Sequence, residues 1–232
     1  TLGRRTGLNV AAHLTCVDAS RAETLDIAAR YHEAGVSHLV ALRGDPPQNQ
    51  GGFAPHADGF ANSVDLVEAL AKTGNFDITV GAYPDPHPEA ASDDADITWL
   101  KRKIDAGATR AITQFFFEAD TFFRFRDRAV KAGITAPILP GILPIQSWAG
   151  TQKIAKRCGA RIPGRLTRAF QTAERDDRTG LLAIAECTDL CSNLLEGGVE
   201  HLHFYTLNNP TLTRDVVHAL GLVPDPALEK VA

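Results

Sequence analysis

Five times the chain runs an amphipathic helix into a glycine and then into a short apolar strand that stops at polar residues. The joints are EAGVSHLVALRGD (33–45), KTGNFDITVGAYPD (72–85), DAGATRAITQ (105–114), KAGITAPILPGILP (131–144) and EGGVEHLHFYTLN (196–208). An earlier strand, AAHLTCVD (11–18), follows the tail of a helix and a turn at Gly7. A helix of roughly 10–15 residues between two strands cannot be a hairpin connection, so neighbouring strands must be parallel and covered by helices. Six strands are expected, near 12–17, 38–43, 78–83, 111–116, 138–142 and 201–206. Polar residues gather where they end: Asp18, Arg43, Asp45, Tyr83, Asp85, Gln114, Thr206 and Asn208. The pattern predicts an α/β fold, a TIM-type (β/α)8 barrel with about six βα units present and its chemistry on the C-terminal rim.

A complete barrel of this type takes about 250 residues, and this chain has 232. Residues 1–232 are therefore expected to be a single (β/α) barrel domain that is incomplete at its N-terminus, because an open edge of a parallel sheet is an exposed pairing surface. A net charge of −4 and a pI near 6.0 argue against nucleic-acid and anionic-membrane partners. No apolar run reaches membrane-spanning length and no signal-peptide pattern opens the chain, so it reads as soluble and cytoplasmic. Four cysteines, at 16, 158, 187 and 191, are few for this length, which fits a reducing compartment. Cys187 and Cys191 share a helix face without further ligands at metal spacing, so they read as small buried hydrophobes and no metal is expected.

Helix signals agree with the repeat. Ser20 and Glu23 form a capping box opening 21–34, with Leu25, Ala28, Ala29 and His32 as the inward stripe. Asn62 or Ser63 starts 64–73, and 94–106 and 120–132 follow, the latter facing Phe122, Phe125 and Ala129 inward. Ser147 caps a helix to about Lys156 and Pro163 opens another. In 179–196 the inward stripe is Leu181, Ile184, Thr188, Cys191 and Leu195, and Asn209-Pro210 starts the last helix. Two stretches after strand ends, 44–62 and 83–94, are long loops rich in Gly or Pro. Loops longer than about 12 residues in a compact domain are usually functional or disordered, and two on one rim favour a ligand site.

Arg43-Gly44-Asp45 places a cation, a flexible backbone and a carboxylate at a strand end, suited to a polar planar group or to a turn with an ion pair. Gln114 inside AITQFFF offers donor and acceptor together for a ring edge, or bonds the backbone as a core amide. Phe115–Phe117 read as packing. His13 and His87 are lone histidines, usually structural. Lys101-Arg102-Lys103 reads as a solvated face unless its cations meet a diphosphate. Neither G-x-G-x-x-G nor G-x-x-x-x-G-K-[ST] occurs, so a nucleotide here is not held by a Rossmann or P-loop device.

The stretches AHLTCVD (12–18), HLVALRGDPP (38–47), AYPDPHPEA (82–90), LKRKIDAGATRAITQFFF (100–117), RFRDR (124–128), ILPGILPI (138–145) and HFYTLN (203–208) resemble the methylenetetrahydrofolate reductase family. The resemblance implies a (β/α)8 barrel with non-covalent FAD on its rim, reduced by NADH or NADPH in ping-pong order before hydride passes to 5,10-methylenetetrahydrofolate. It implies an FAD-contacting set of His13, Arg43, Gly44, Asp45, Ser63, Tyr83, His87, Asp96, Arg102 and Lys103. On that resemblance Arg102 and Lys103 would lie near the diphosphate and adenosine. The resemblance further implies that Asp45, the candidate catalytic residue, would face flavin and pterin and bind the substrate's pterin edge, and that Gln114 would hydrogen-bond folate or the nicotinamide carboxamide.

Hydride transfer to the methylene carbon needs a ring-opened iminium, formed as N10 is protonated by a carboxylic acid of raised pKa. The family's acid is a glutamate in an E-F-F-P-like first strand, a segment that does not occur in this sequence; Asp45 matches another position. Asn209 stands where the family commonly has arginine after Y-T-L-N.

The competing readings are a truncated flavin- or folate-binding barrel without turnover, and a flavin barrel resembling proline dehydrogenase, against which LRGD and ITQFFF speak. An intact mass near 24.9 kDa favours the truncated module, and one several kDa larger favours the enzyme. Small-molecule partners are expected, reduced folate and a nicotinamide dinucleotide. A homo-oligomer is compatible with the sequence without being selected by it.

Overall fold

In the computed structural model, which describes residues 3, 6–45, 53–88, 90 and 92–222, five strands form a parallel sheet in chain order. They are β1 (Ala11–Thr15), β2 (His38–Leu42), β3 (Asp77–Ala82), β4 (Arg110–Thr113) and β5 (Ile138–Leu139). A parallel pair, β6 (Gly141–Ile142) with β7 (His203–Phe204), continues the wall. The gap between β5 and β6 is one residue, Pro140, which has no N–H to give a ladder. Its carbonyl still accepts from the His203 N–H at 3.0 Å, and the next N–H, of Gly141, turns to the Thr113 hydroxyl at 2.9 Å. The expected strand 138–142 is thus one strand that changes partner at Pro140. The expected order and parallel sense of six strands hold, and the chain is a TIM-type α/β barrel wall.

The helices are α1 (Arg21–Glu33), α2 (Ser63–Thr73), α3 (Asp93–Asp105), α4 (Ala119–Lys131), α5 (Trp148–Cys158), α6 (Gly164–Arg175), α7 (Thr179–Glu196) and α8 (Thr211–Ala219). The joint glycines Gly35, Gly74, Gly107, Gly133 and Gly198 all have φ between 69° and 115°. That left-handed conformation is what lets a helix stop and its chain turn back into a strand. One core lies between the sheet and α1–α4, where Leu39, Ile78, Val80 and Ala111 meet Leu66, Leu70, Leu100 and Phe125. A second packs Phe115, Phe117 and Leu143 against Trp148, Leu166 and Phe170, and a third joins Phe116, Phe122 and Ile142 to Cys187, Cys191 and Leu194. All three phenylalanines of the FFF run are therefore packing, as expected.

Two inward stripes differ from expectation. In α1 the buried residues are Thr24 and Ala28, with Ala29 and His32 exposed. Thr24 fits there because its hydroxyl donates back to the Ser20 carbonyl at 2.9 Å. In α7 the buried stripe is Ala183, Cys187, Cys191 and Leu194, while Leu181 and Leu195 face solvent. That helix is apolar on most sides, so periodicity does not select its face. Among the described residues no helix is long and apolar enough to cross a membrane.

The capping box is complete: Ser20 Oγ accepts from the Glu23 N–H at 3.2 Å, and the Glu23 carboxylate accepts from the Ser20 N–H at 2.9 Å. Ser20→Ala removes one acceptor from the first turn of α1 and is expected to cost about 1 kcal/mol. The measurement is a urea unfolding midpoint; a shift accompanied by a changed m-value points to a different denatured state rather than to the cap.

Candidate active site

Because every strand runs the same way, residues following β2, β3, β4 and β7 emerge on one rim. There a cleft of about 610 Å³ opens between the ends of β1–β3, the start of α2 and one side of α3, within the roughly 300–1,000 Å³ usual for ligand sites. It is lined by Arg43, Gly44, Asp45, Ser63, Tyr83, His87, Asp96 and Lys103, among others. Eight of the ten residues expected to hold a flavin thus line one cavity, drawn from four separate stretches of chain.

Gly44 is required where it stands. Its φ is 88°, and a Cβ would lie 2.6 Å from Val17 Cγ1, so only glycine keeps the backbone at the floor of the cleft. Beside it, Arg43 spreads its guanidinium over the Phe53 ring at 4.7 Å. Tyr83 follows β3 and meets His87 edge to face, with ring centroids 4.7 Å apart. The Tyr83 hydroxyl is pushed up by burial and then by the Asp45 carboxylate, against an opposite pull from Arg43. The Asp45 carboxylate therefore lies close enough to Tyr83 to disfavour ionisation of its hydroxyl. The His87 N–H donates to Asp96 Oδ2 at 2.8 Å, tying the loop after β3 to α3.

Helix α3 carries two stripes. Ile97, Leu100 and Ile104 turn to the core, whereas Asp96, Trp99 and Lys103, also at i, i+3 and i+7, line the cleft. This corrects the view of residues 101–103 as a solvated face. Lys101 is a surface partner of Asp105 and Arg102 is exposed, but Lys103 is 5% exposed. Its Nζ donates to the Gly81 carbonyl, and burial, opposed by Asp96, pushes its pKa down to about 8.

Four expected residues lie outside the lining. Arg102 reaches it indirectly, stacking 4.4 Å over Trp99. Gln114 is the cross-strand neighbour of Tyr83: its N–H donates to the Ala82 carbonyl at 2.7 Å, and its own Oε1 accepts from the Phe115 N–H at 3.1 Å. His13 is exposed on β1, opposite Val40 and within electrostatic reach of His203. Asn208, expected in the same cleft, is exposed in a turn just past β7 with φ 61°. Asp45 and Gln114 share the rim, as expected. Trp99, Phe53 and Thr15 line the cleft without having been singled out in the sequence, and Asn62, expected only as a helix start, lines it too. For Trp99 the signal was available, three residues after Asp96 and four before Lys103 on one helix.

Carboxylate, aromatic and buried cation along one wall, with a glycine floor, suit a dinucleotide: a planar ring to stack, hydroxyls to accept from and phosphates to neutralise. A parallel barrel wall with such a cleft at the C-terminal ends of its strands defines a (β/α)-barrel protein with a rim binding site. The chain belongs to the methylenetetrahydrofolate reductase family, which it matches over residues 1–221. It is 47% identical over 228 residues to the 5,10-methylenetetrahydrofolate reductase of Pectobacterium carotovorum subsp. carotovorum, an alignment covering 98% of this chain and 74% of that one. The Escherichia coli K12 protein of the same name is 45% identical over 221 residues, 95% of this chain and 73% of the relative. A probable methylenetetrahydrofolate reductase (NADH) of Oryza sativa is 35% identical over 230 residues, covering 94% of this chain and 39% of the plant protein.

Proposed function

We propose that this protein reduces 5,10-methylenetetrahydrofolate to 5-methyltetrahydrofolate with NADH or NADPH, in ping-pong order, using FAD held in the rim cleft. The observation that carries the reading is the convergence of Arg43, Gly44, Asp45, Tyr83, His87, Asp96 and Lys103 on one cavity, in a chain whose relatives carry that enzyme's name. FAD, when bound, supplies a two-electron acceptor that takes hydride from the nicotinamide and gives it to the folate. Arg43 and Asp45 bracket the Gly44 backbone and offer a cation and an acceptor to a polar ring. Lys103 and Arg102 neutralise phosphate charge. Tyr83, backed by the His87 ring, presents an aromatic face beside Asp45.

Asp45 also accepts hydrogen bonds from the pterin edge, and Gln114 offers its amide to folate or, in the other half of the cycle, to the nicotinamide carboxamide. Asp45→Asn in the intact protein separates these roles. An amide presents donors where the pterin already donates, and a lost hydrogen bond to a charged group is worth roughly 1.5–3 kcal/mol. The folate half-reaction is expected to slow about ten- to a hundredfold, with a smaller loss in flavin reduction by the nicotinamide. Stopped-flow traces of the two half-reactions decide it. Equal losses assign Asp45 to the flavin or the fold and not to the folate.

A further inference from the structure

The loop after β3 begins Tyr83-Pro84-Asp85-Pro86-His87-Pro88, a proline at every second position. Proline has a fixed φ and no N–H, so this loop joins no ladder and moves as a stiff unit. Its hold must come from side chains and from the few N–H groups that remain. One anchor lies on the α3 side, where the His87 N–H donates to Asp96 Oδ2 at 2.8 Å. The second serves no part of the proposed chemistry. Asp85 lies outside the cleft lining, its side chain is 11% exposed, and its Oδ2 accepts the Arg161 N–H at 3.0 Å.

The donor is prepared by the end of α5. Gly159 caps that helix with φ 76°, and the Ala160 N–H returns to the Ala155 carbonyl at 3.0 Å. The next N–H, of Arg161, has left the helix and meets Asp85. Gly159 also lets the two segments touch, since a Cβ there would lie 2.8 Å from the Pro86 carbonyl oxygen and 3.2 Å from Pro88 Cδ. A carboxylate this buried costs free energy unless it is partnered. Burial pushes the Asp85 pKa up, the Arg161 N–H and the charges of Arg161 and Arg124 pull it down, and Glu118 adds to the rise. The Arg161 guanidinium stands 3.7 Å away on a side chain 74% exposed, so the backbone bond is the stronger contact. We propose that Asp85 is a positioning residue: its bond to the Arg161 N–H locks the proline loop to the α5–α6 turn and so holds Tyr83 and His87 in the cleft wall. The stiffness of the loop carries the effect over two residues to His87 and its bond to Asp96. The consequence for flavin rests on the reading above; the lock itself does not.

The test follows hydrogen exchange of the His87 amide in the intact apoprotein, and FAD binding by calorimetry, for the parent and for Asp85→Ala, Asp85→Asn and Arg161→Ala. Asp85→Ala removes the acceptor. His87 exchange should quicken about tenfold or more and FAD should bind about tenfold more weakly, the scale of a lost hydrogen bond to a charged group. The amides of the buried strand residues Ile78 and Val80 should keep their protection. Asp85→Asn retains an oxygen that accepts the N–H and should stay within about threefold of the parent in both measurements. Arg161→Ala retains the N–H and should lose less than Asp85→Ala in both. Unchanged His87 exchange in Asp85→Ala, faster exchange throughout the core, or an equal loss in Asp85→Asn or Arg161→Ala overturns the lock. Faster His87 exchange with unchanged FAD affinity overturns its role at the cleft. The flavin reading fails separately, if FAD does not bind the parent; the exchange result alone then upholds or overturns the lock.

Discussion

Gly141→Ala is expected to destabilise the protein by about 3–5 kcal/mol, a large share of the 5–15 kcal/mol typical of a folded domain. A Cβ on Gly141 would lie 2.1 Å from the Thr113 carbonyl oxygen and 2.6 Å from Tyr205 Cε2. Neither neighbour can yield cheaply. The Thr113 carbonyl accepts the Tyr205 hydroxyl at 2.8 Å, and the Thr113 hydroxyl accepts the Gly141 N–H at 2.9 Å. These two bonds are the seam that joins β4 to β6 and β7 where Pro140 interrupts the ladder. An added methyl group must push β4 away from β6 and break at least one of them, at roughly 1 kcal/mol each beyond the steric cost. Since Thr113 immediately precedes Gln114, protein that still folds should also bind folate more weakly. Gly180→Ala in the first turn of α7 is the control, because a Cβ there meets nothing within 4 Å; alanine there is expected to be neutral or up to about 1 kcal/mol stabilising. Denaturant unfolding of the two variants tests the seam, and a Gly141→Ala loss below 1 kcal/mol removes it from the argument.

The wall of the barrel was readable because each joint carries its own local cause. A left-handed glycine after an amphipathic helix forces the turn, and all five such glycines adopt it. The same local logic located Ser20 and Ser147 as helix caps and narrowed a third to Asn62 or Ser63, of which Asn62 is the cap; each accepts an N–H of its first turn. What local pattern could not give was the direction a helix faces when more than one direction is apolar or more than one is polar. Helix α7 has leucines all round, and its buried face was set by where α4 and α8 pack. The triplet at 101–103 is uniformly basic, yet its three members have three fates: a surface ion pair, a stack on Trp99, and burial. Only the placement of α3 beside the loop after β3 separates them. The rim residues were legible for a similar reason in reverse. Arg43, Tyr83 and Gln114 end strands, and topology alone sends strand ends to one side, whereas Phe53 comes from a loop whose return to the cleft no periodicity marks.

Lys103→Met should make the unliganded protein relatively more stable near neutral pH and remove a component of its pH dependence. In the native state the Lys103 pKa lies at about 8, against an ordinary lysine value of 10.5, with burial as the leading cause. Between those values the unfolded chain binds a proton that the folded chain does not, so stability rises with pH across that window. Below about pH 8 both states hold the charge and the cost of burying it is carried in full, roughly 3 kcal/mol for a shift of this size. The methionine variant lacks the charge, so its advantage over the parent, lowered throughout by whatever the lost bond to the Gly81 carbonyl contributes, should shrink by about 3 kcal/mol from pH 7 to pH 10.5. A buried cation that costs stability and lines a cleft has a use if an anion arrives to neutralise it. A diphosphate beside Lys103 should raise its pKa, so flavin binding should take up a proton above pH 8 and weaken by up to about tenfold per pH unit there. Lys103→Met should bind flavin more weakly at pH 7 and lose that slope. Unfolding free energies and flavin affinities measured at pH 7, 8.5 and 10 test both halves, and a pH-independent difference between parent and variant in either one would falsify the linkage.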